Sequence, residues 1–202
     1  AGEFASCFTV EKVVEAVTGS KKEDIPEILG DAIGNANLAL IEYAGEHPQM
    51  HGMGTTVVAA VVTENQLYVA NVGDSRLYLL RDSLAQITRD HSLVEEMVAR
   101  GKMERDSESY RSQKNIITRA MGIGNRVEAD FFEVPLLECD CILLCSDGLT
   151  NMVDDAEISR VLKTTDTLKE KTEALVDEAN RNGGKDNIAI VLVEPQISEV
   201  KL

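Results

Sequence analysis

Apolar residues recur with the period of an α-helix in two stretches near the start of the chain. In the first stretch, from about residue 3 to residue 17, they fall every three or four positions. The second stretch opens with Asp24, which can cap a helix, and with Pro26, which is tolerated in a first turn. Its periodicity ends near Gly45. We therefore predict two neighbouring amphipathic helices whose apolar faces cover another surface.

The middle of the chain contains short runs rich in β-branched residues, which predict strands. Four of these runs follow one another closely, at 55–62, 67–72, 76–80 and 84–88. The polar connections between them are short, and tight connections join antiparallel neighbours, so we predict a meander. Three later runs predict further strands, at 128–134, 141–145 and 187–193.

Further helices are predicted after Ser92 and over 154–162 and 167–180. Each is preceded by a side chain that can cap it. The segment 101–115 is highly polar and contains few candidates for a core. Together with the helix before it, this segment predicts a surface flap of about 91–115.

The order of the predicted elements indicates the fold class. Helices come in pairs at the two ends of the chain, and strands are concentrated in the middle. We therefore predict an α+β fold, a four-layer α/β/β/α sandwich with two antiparallel sheets flanked by helix pairs. Residues 1–196 are expected to form one domain, and residues 197–202 a tail.

The charge and cysteine content narrow the class of protein. The formal net charge of −15 opposes sequence-independent binding to nucleic acid, whose phosphates would be repelled. No apolar run is long enough to cross a membrane, so no membrane insertion is expected. The cysteines lack the spacing of a zinc site and predict free thiols, buried or half-buried, in a reducing, cytoplasmic setting. They are Cys7, Cys139, Cys141 and Cys145.

Three aspartates lie where apolar strands begin or end: Asp74, Asp147 and Asp186. If the three strand ends converge, the carboxylates cannot all stay ionised side by side without a cation. Oxygen-only ligands of this kind suit Mg²⁺ or Mn²⁺. Taken alone, each aspartate is better explained as a turn residue or a helix cap. Three such placements together favour a metal site more strongly, but spacing alone does not establish one. The histidines do not cluster in the sequence, so His91, like the others, is expected to be structural.

Six short segments, spread over roughly residues 1–194, carry small, polar and acidic residues in a distinctive order. They are Gly52–Thr56, Ala70–Arg76, Asp90–Ser92, Ile117–Gly122, Leu144–Leu149 and Gly184–Asn187. In this order they resemble successive motifs of the metal-dependent serine/threonine protein phosphatases of type 2C. One such match would be weak, but six in order at sensible spacing are specific. The short connections resemble the bacterial branch of this family.

The resemblance implies roles for the three aspartates. Asp147 and Asp186 resemble ligands of the family's binuclear metal pair and would be catalytic, while Asp74 resembles the residue that holds a third metal with Asp147. Asn187 would orient its neighbour. The complete domain would hold two or three Mn²⁺ or Mg²⁺ ions and use a metal-activated water to hydrolyse phosphoserine or phosphothreonine in proteins. The implied partners are phosphorylated proteins, including a serine/threonine kinase and its substrates.

The sequence departs from the family pattern at its start. The family's phosphate-binding Arg, its Glu-Asp pair and its Asp-Gly-x-Gly-Gly segment have no counterpart, and residues 1–3 resemble those that follow that segment. We therefore expect an N-terminally truncated domain with weak or absent phosphatase activity. We also expect a dimer through the sheet edge that the missing strand exposes. Two alternatives stay open: a non-catalytic module that binds or regulates a phosphoprotein partner, and a sensor phosphatase acting on anti-sigma-factor antagonists.

Overall fold

The computed structural model describes residues 1–105 and 107–196 of the chain. The predicted tail, 197–202, lies outside the described residues. The chain divides into two compact units, each with its own hydrophobic core. The first unit contains residues 1–61, 68–74 and 90–131, and the second contains residues 62–67, 75–89 and the chain from 132 onward.

Two helices open the first unit, as predicted. α1 spans Gly2–Gly19 and α2 spans Ile25–Glu46. The carboxylate of Asp24 accepts a hydrogen bond from the backbone N–H of Glu27 at 2.8 Å, which caps the start of α2. The apolar faces of both helices pack into one core with side chains of the neighbouring strands. Its buried members include Val13, Leu29, Ile33, Leu40, Val57 and Val72.

The strands of the described residues fall into two sheets. They are β1 Val57–Thr63, β2 Gln66–Val72, β3 Arg76–Leu80, β4 Leu84–Gln86, β5 Asp130–Pro135, β6 Cys141–Cys145 and β7 Ile190–Val193. One sheet has the order β1-β2-β5 and the other the order β4-β3-β6-β7. In the second sheet Arg76 lies opposite Cys145, which in turn lies opposite Ile190. Two antiparallel sheets with several helices confirm the predicted α+β class.

The predicted meander is wrong at the connection between β2 and β3. These two strands belong to different sheets, so residues 73–75 do not form a hairpin turn. Gly73 has a φ of +109°, which side chains rarely allow, and both its N–H and its carbonyl are hydrogen-bonded to His91. These hydrogen bonds hold the connection at the point where the chain leaves one sheet and enters the other.

The predicted flap contains more regular structure than its composition indicates. α3 spans Leu93–Ala99 and α4 spans Glu108–Gln113, the latter inside the polar segment. Tyr110 of α4 is buried, and its hydroxyl donates a hydrogen bond to the buried carboxylate of Glu95 at 2.6 Å. Arg105 binds the other oxygen of Glu95 at 2.7 Å. One buried aromatic side chain therefore orders a segment that has no apolar periodicity.

The two longer helices of the second unit begin where their capping residues predict, whereas the short helix before them is not predicted and has no capping hydrogen bond from a side chain. α5 spans Asp147–Thr150, α6 spans Asp155–Thr164 and α7 spans Leu168–Arg181. At the start of α7, Thr167 and Glu170 form the predicted capping box, each side chain accepting from the other's backbone N–H at 3.2 Å. These helices share a core with β3 and β6. Its buried members include Tyr78, Leu143, Leu149, Ile158, Leu162 and Leu175.

The cysteines follow the prediction only in part. Cys141 and Cys145 are buried in β6, but Cys7 and Cys139 are exposed, so the expectation of buried or half-buried thiols is wrong for those two. Cys139 precedes the strand and has a positive φ of +67°, so the alternation of the strand does not extend back to it. Among the described residues, no helix is both long enough and apolar enough to cross a membrane.

Candidate metal centre

Asp147 lies at the point where β6 ends and α5 begins. The strand is paired on both sides, with β3 and with β7, so the backbone that carries Asp147 is fixed from two directions. The side chain is half-buried, and its Oδ2 accepts a hydrogen bond from Nδ2 of Asn151 at 3.0 Å. The carboxylate is therefore oriented by Asn151, which lies one helical turn further along the chain.

Ser146 connects this strand end to the segment that contains Asp186. Its hydroxyl donates to the carbonyl of Asn187 and accepts from the N–H of Ala189, both at 3.0 Å. Its own N–H donates to the carbonyl of Ala189 at 3.0 Å. These bonds continue the antiparallel register of β6 and β7 beyond the last paired residues. They bring the backbones of Asp147 and Asp186 to the same end of the four-stranded sheet.

Gly148 allows the two segments to approach closely. A Cβ at this position would clash with the carbonyl oxygen of Asn187 and would lie 2.9 Å from its carbonyl carbon. Any larger residue would separate the segments that carry Asp147 and Asp186. Asp186 itself is exposed, and its Oδ1 accepts from the backbone N–H of Asn187 at 2.7 Å. This contact between Asp186 and Asn187 involves the backbone of Asn187.

Asp74 belongs to the first unit, directly after β2. It is half-buried and follows Gly73, whose backbone packs against Thr56. A Cβ on Gly73 would lie 2.6 Å from Cβ of Thr56, so only glycine fits. The position of Asp74 is therefore set by a glycine with a positive φ and by the residues that hold it.

His91 makes two hydrogen bonds with the backbone of Gly73. The backbone N–H of His91 donates to the carbonyl of Gly73 at 2.9 Å, and the ring Nδ1 accepts from the N–H of Gly73 at 3.1 Å. On the other side of the ring, Nε2 lies 3.2 Å from Oδ2 of Asp130. Arg119 donates to Oδ1 of the same aspartate at 2.7 Å. Sequence reasoning gave His91 only a structural role at a helix start, and it assigned no role to Arg119 or Asp130.

Burial and charge set the protonation of this cluster. Burial lowers the pKa of His91, and the hydrogen bond to Asp130 offsets this only in part. Partial burial acts to raise the pKa of Asp130, but the hydrogen bonds from Arg119 and His91 outweigh it and hold that pKa below its usual value. Because Nδ1 accepts from Gly73, the neutral ring carries its proton on Nε2, facing the ionised Asp130.

The donor groups at the end of the four-stranded sheet suit a hard divalent cation. Asp147 and Asp186 offer carboxylate oxygens, the ligand type that Mg²⁺ and Mn²⁺ prefer. Gly148 leaves the backbone of the two segments close together beside these carboxylates. Residues 1–105 and 107–196 contain no group of three or more His, Cys, Asp or Glu side chains close enough to hold a metal. The fit therefore rests on two carboxylates, with the remaining coordination positions open to water or substrate oxygens.

Comparison with known proteins decides the family. The family model for protein phosphatase 2C matches residues 1–192. The chain belongs to the protein phosphatase 2C family. This confirms the resemblance seen in the six segments, and it makes the chain a protein serine/threonine phosphatase by descent.

Individual relatives agree with the family assignment. A serine/threonine phosphatase of Listeria innocua is 44% identical, over 98% of this chain and 81% of the relative. The crystal structure of a serine/threonine phosphatase from Staphylococcus aureus matches with a TM-score of 0.88 at 35% identity, covering 97% of this chain and 79% of that one. The catalytic domain of the phosphatase PstP, crystallised with two manganese ions, matches with a TM-score of 0.84 at 32% identity, covering 94% and 80%.

Proposed function

We propose that Asp147 and Asp186 are metal ligands and catalytic carboxylates of a phosphatase reaction on phosphoserine and phosphothreonine in proteins. The observation that carries the proposal is the set of hydrogen bonds from Ser146, which holds the two segments together at one sheet end. The two manganese ions in the related PstP structure support a divalent ion as the cofactor. Mn²⁺ and Mg²⁺ are both compatible with the oxygen ligands.

When bound, the ion would supply an activated water and neutralise charge on the phosphoryl group. The residues of this chain supply rigidity. Asn151 holds one oxygen of Asp147 with a hydrogen bond of 3.0 Å. Ser146 fixes the separation of the two carboxylate-bearing segments, and Gly148 keeps that separation small. Preorganised ligands of this kind reduce the reorganisation needed when substrate binds.

Asp74 is proposed as a ligand of a further ion, in line with the family resemblance. Its support is local: a half-buried carboxylate on a glycine turn whose backbone is hydrogen-bonded on both sides. The proposed total is two or three ions in a complete site.

We further propose that phosphorylated proteins are the substrates, among them a serine/threonine kinase and the proteins it modifies. The net charge of −15 argues against a nucleic-acid partner. The free cysteines are compatible with a reducing compartment, and we propose the cytoplasm.

The proposed activity of these 202 residues by themselves is low. Among the described residues, no third His, Cys, Asp or Glu side chain lies close enough to the two carboxylates to complete a site. Two carboxylates alone are expected to bind a divalent ion weakly, because they supply less negative charge and a less rigid set of ligands than a larger site. Metal binding without turnover would favour the alternative function, a module that binds a phosphoprotein without hydrolysing it.

Calorimetry with Mn²⁺ tests the assignment. The wild-type chain is compared with Asp147→Asn and with Asp166→Asn, a matched change at an exposed position with the same loss of charge. We expect Mn²⁺ binding to fall at least about tenfold in Asp147→Asn and to be unchanged in Asp166→Asn. Thermal unfolding of both variants checks that they are folded. Equal Mn²⁺ affinity in the two variants would overturn the proposal, and phosphopeptide turnover then separates enzyme from binding module.

A further inference from the structure

At position 73 the structure requires glycine, although the backbone freedom of glycine makes the position of the following Asp74 less well defined. Its φ of +109° and its contact with Thr56 exclude any side chain, so the residue must be glycine. Glycine is also the residue with the greatest backbone freedom, and it directly precedes Asp74. The position of Asp74 therefore depends on how firmly the backbone of Gly73 is restrained. One restraint is local, because Nδ2 of Asn71 donates a hydrogen bond to the carbonyl of Gly73 at 3.2 Å. This bond leaves the N–H of Gly73 to be held by another segment.

His91 supplies that restraint with two hydrogen bonds of opposite direction. The backbone N–H of His91 donates to the carbonyl of Gly73 at 2.9 Å. The ring Nδ1 of His91 accepts from the N–H of Gly73 at 3.1 Å. Both polar groups of the glycine backbone are thereby engaged by one residue, 18 positions away in the sequence. Rotation of the Gly73 peptides would break both bonds.

The imidazole is itself fixed. It is 5% exposed, and its Nε2 lies 3.2 Å from the carboxylate of Asp130, which Arg119 holds by a second charged contact. Capping of the following helix does not require the ring, because the side chain of Ser92 accepts from the N–H of Glu95. The ring of His91 therefore faces Gly73 on one side and a charged pair on the other.

We propose that His91 is a positioning residue for Asp74, and that it acts by restraining the backbone of Gly73. Asp130 and Arg119 hold the ring in the orientation that leaves Nδ1 as an acceptor. This inference rests on the proposed role of Asp74 as a metal ligand. It assigns no direct contact between His91 and metal or substrate.

Two substitutions separate this role from a general packing role. His91→Asn keeps an acceptor near the place of Nδ1, whereas His91→Gln places its amide near Nε2 and leaves the N–H of Gly73 without an acceptor. His51→Gln, at an exposed histidine of the same unit, is the control. The first measurement is hydrogen exchange of the Gly73 amide by NMR, without metal. We expect about five- to tenfold faster exchange in His91→Gln and near wild-type exchange in His91→Asn and in the control.

The second measurement is Mn²⁺ titration of the same variants and of Asp74→Asn. We expect His91→Gln to weaken the Mn²⁺ binding that depends on Asp74 by about five- to tenfold, with no further loss when it is combined with Asp74→Asn. If Asp74→Asn weakens binding and His91→Gln does not, the positioning role is wrong while the metal assignment stands. If Asp74→Asn itself leaves binding unchanged, the proposed role of Asp74 is wrong, and with it this inference. Unchanged exchange at Gly73 in His91→Gln would overturn the restraint itself.

Discussion

Replacing Gly148 by alanine tests the close approach at the candidate metal centre. The backbone φ of Gly148 lies outside the left-handed region, so alanine is compatible with the local conformation. The new methyl group would meet the carbonyl of Asn187, with the carbonyl carbon at 2.9 Å, whereas ordinary contacts begin at about 3.4 Å. The segment around Asn187 must therefore move by about 0.5 Å or more.

Two contributions determine how much this movement lowers the free energy of unfolding. Overpacking of this kind costs about 1–3 kcal/mol. Displacement of the Asn187 carbonyl also weakens the hydrogen bond from Ser146, worth about 1 kcal/mol. The free energy of unfolding should fall by about 2–4 kcal/mol, which for a chain of this size lowers the melting temperature by roughly 4–16 °C. Mn²⁺ affinity should also fall, because the segment that carries Asp186 moves relative to Asp147.

The assay is thermal unfolding and Mn²⁺ calorimetry on Gly148→Ala and on Gly34→Ala. Gly34 lies inside α2 with no atom within 4 Å of an added Cβ, so alanine there should be neutral or stabilising by up to about 1 kcal/mol. If Gly148→Ala unfolds at the wild-type temperature and binds Mn²⁺ with wild-type affinity, the close contact does not constrain the site, and the reasoning fails.

Two further outcomes follow from the structure. The pKa of His91 is lowered in the folded chain, so the unfolded chain takes up a proton at a higher pH. The free energy of unfolding should therefore fall as the pH drops below about 6.5. Urea unfolding at pH 7 and at pH 5.5 should show a smaller loss of this free energy in His91→Asn than in wild type, and equal losses would contradict the prediction. β1 is an edge strand of its sheet in the described residues, carries no charge or proline, and borders an apolar groove of about 300 Å³ beside α1. We expect the protein to self-associate along β1 at high concentration. Val62→Lys, at a position 40% exposed, should abolish this association. A strictly monomeric wild type in light scattering would show that β1 does not pair with a second copy.

Much of the candidate centre could be predicted from the sequence because it depends on local order. Asp147 lies two residues after an apolar strand whose limits, 141–145, the residue pattern gives correctly. Asp186 lies before the last strand, which begins at Ile190 and not at 187 as the pattern predicts. What the pattern could not supply is the contact of Ser146 with Asn187, since these residues are 41 positions apart and neither is unusual in its own neighbourhood.

The sequence alone determined the longer helices with most of their caps, and the approximate positions of the strands. These features depend on residues within about four positions of one another, where periodicity and capping side chains act directly. The tertiary structure decided that β2 and β3 enter different sheets, because a short connection of Gly, Asp and Ser is compatible with a hairpin as well as a crossing. It also decided that His91 is hydrogen-bonded to Gly73, since such bonds between distant segments form only when the packing of the first unit brings them together. Local chemistry therefore placed the aspartates at strand ends, and long-range packing determined how rigidly they are held.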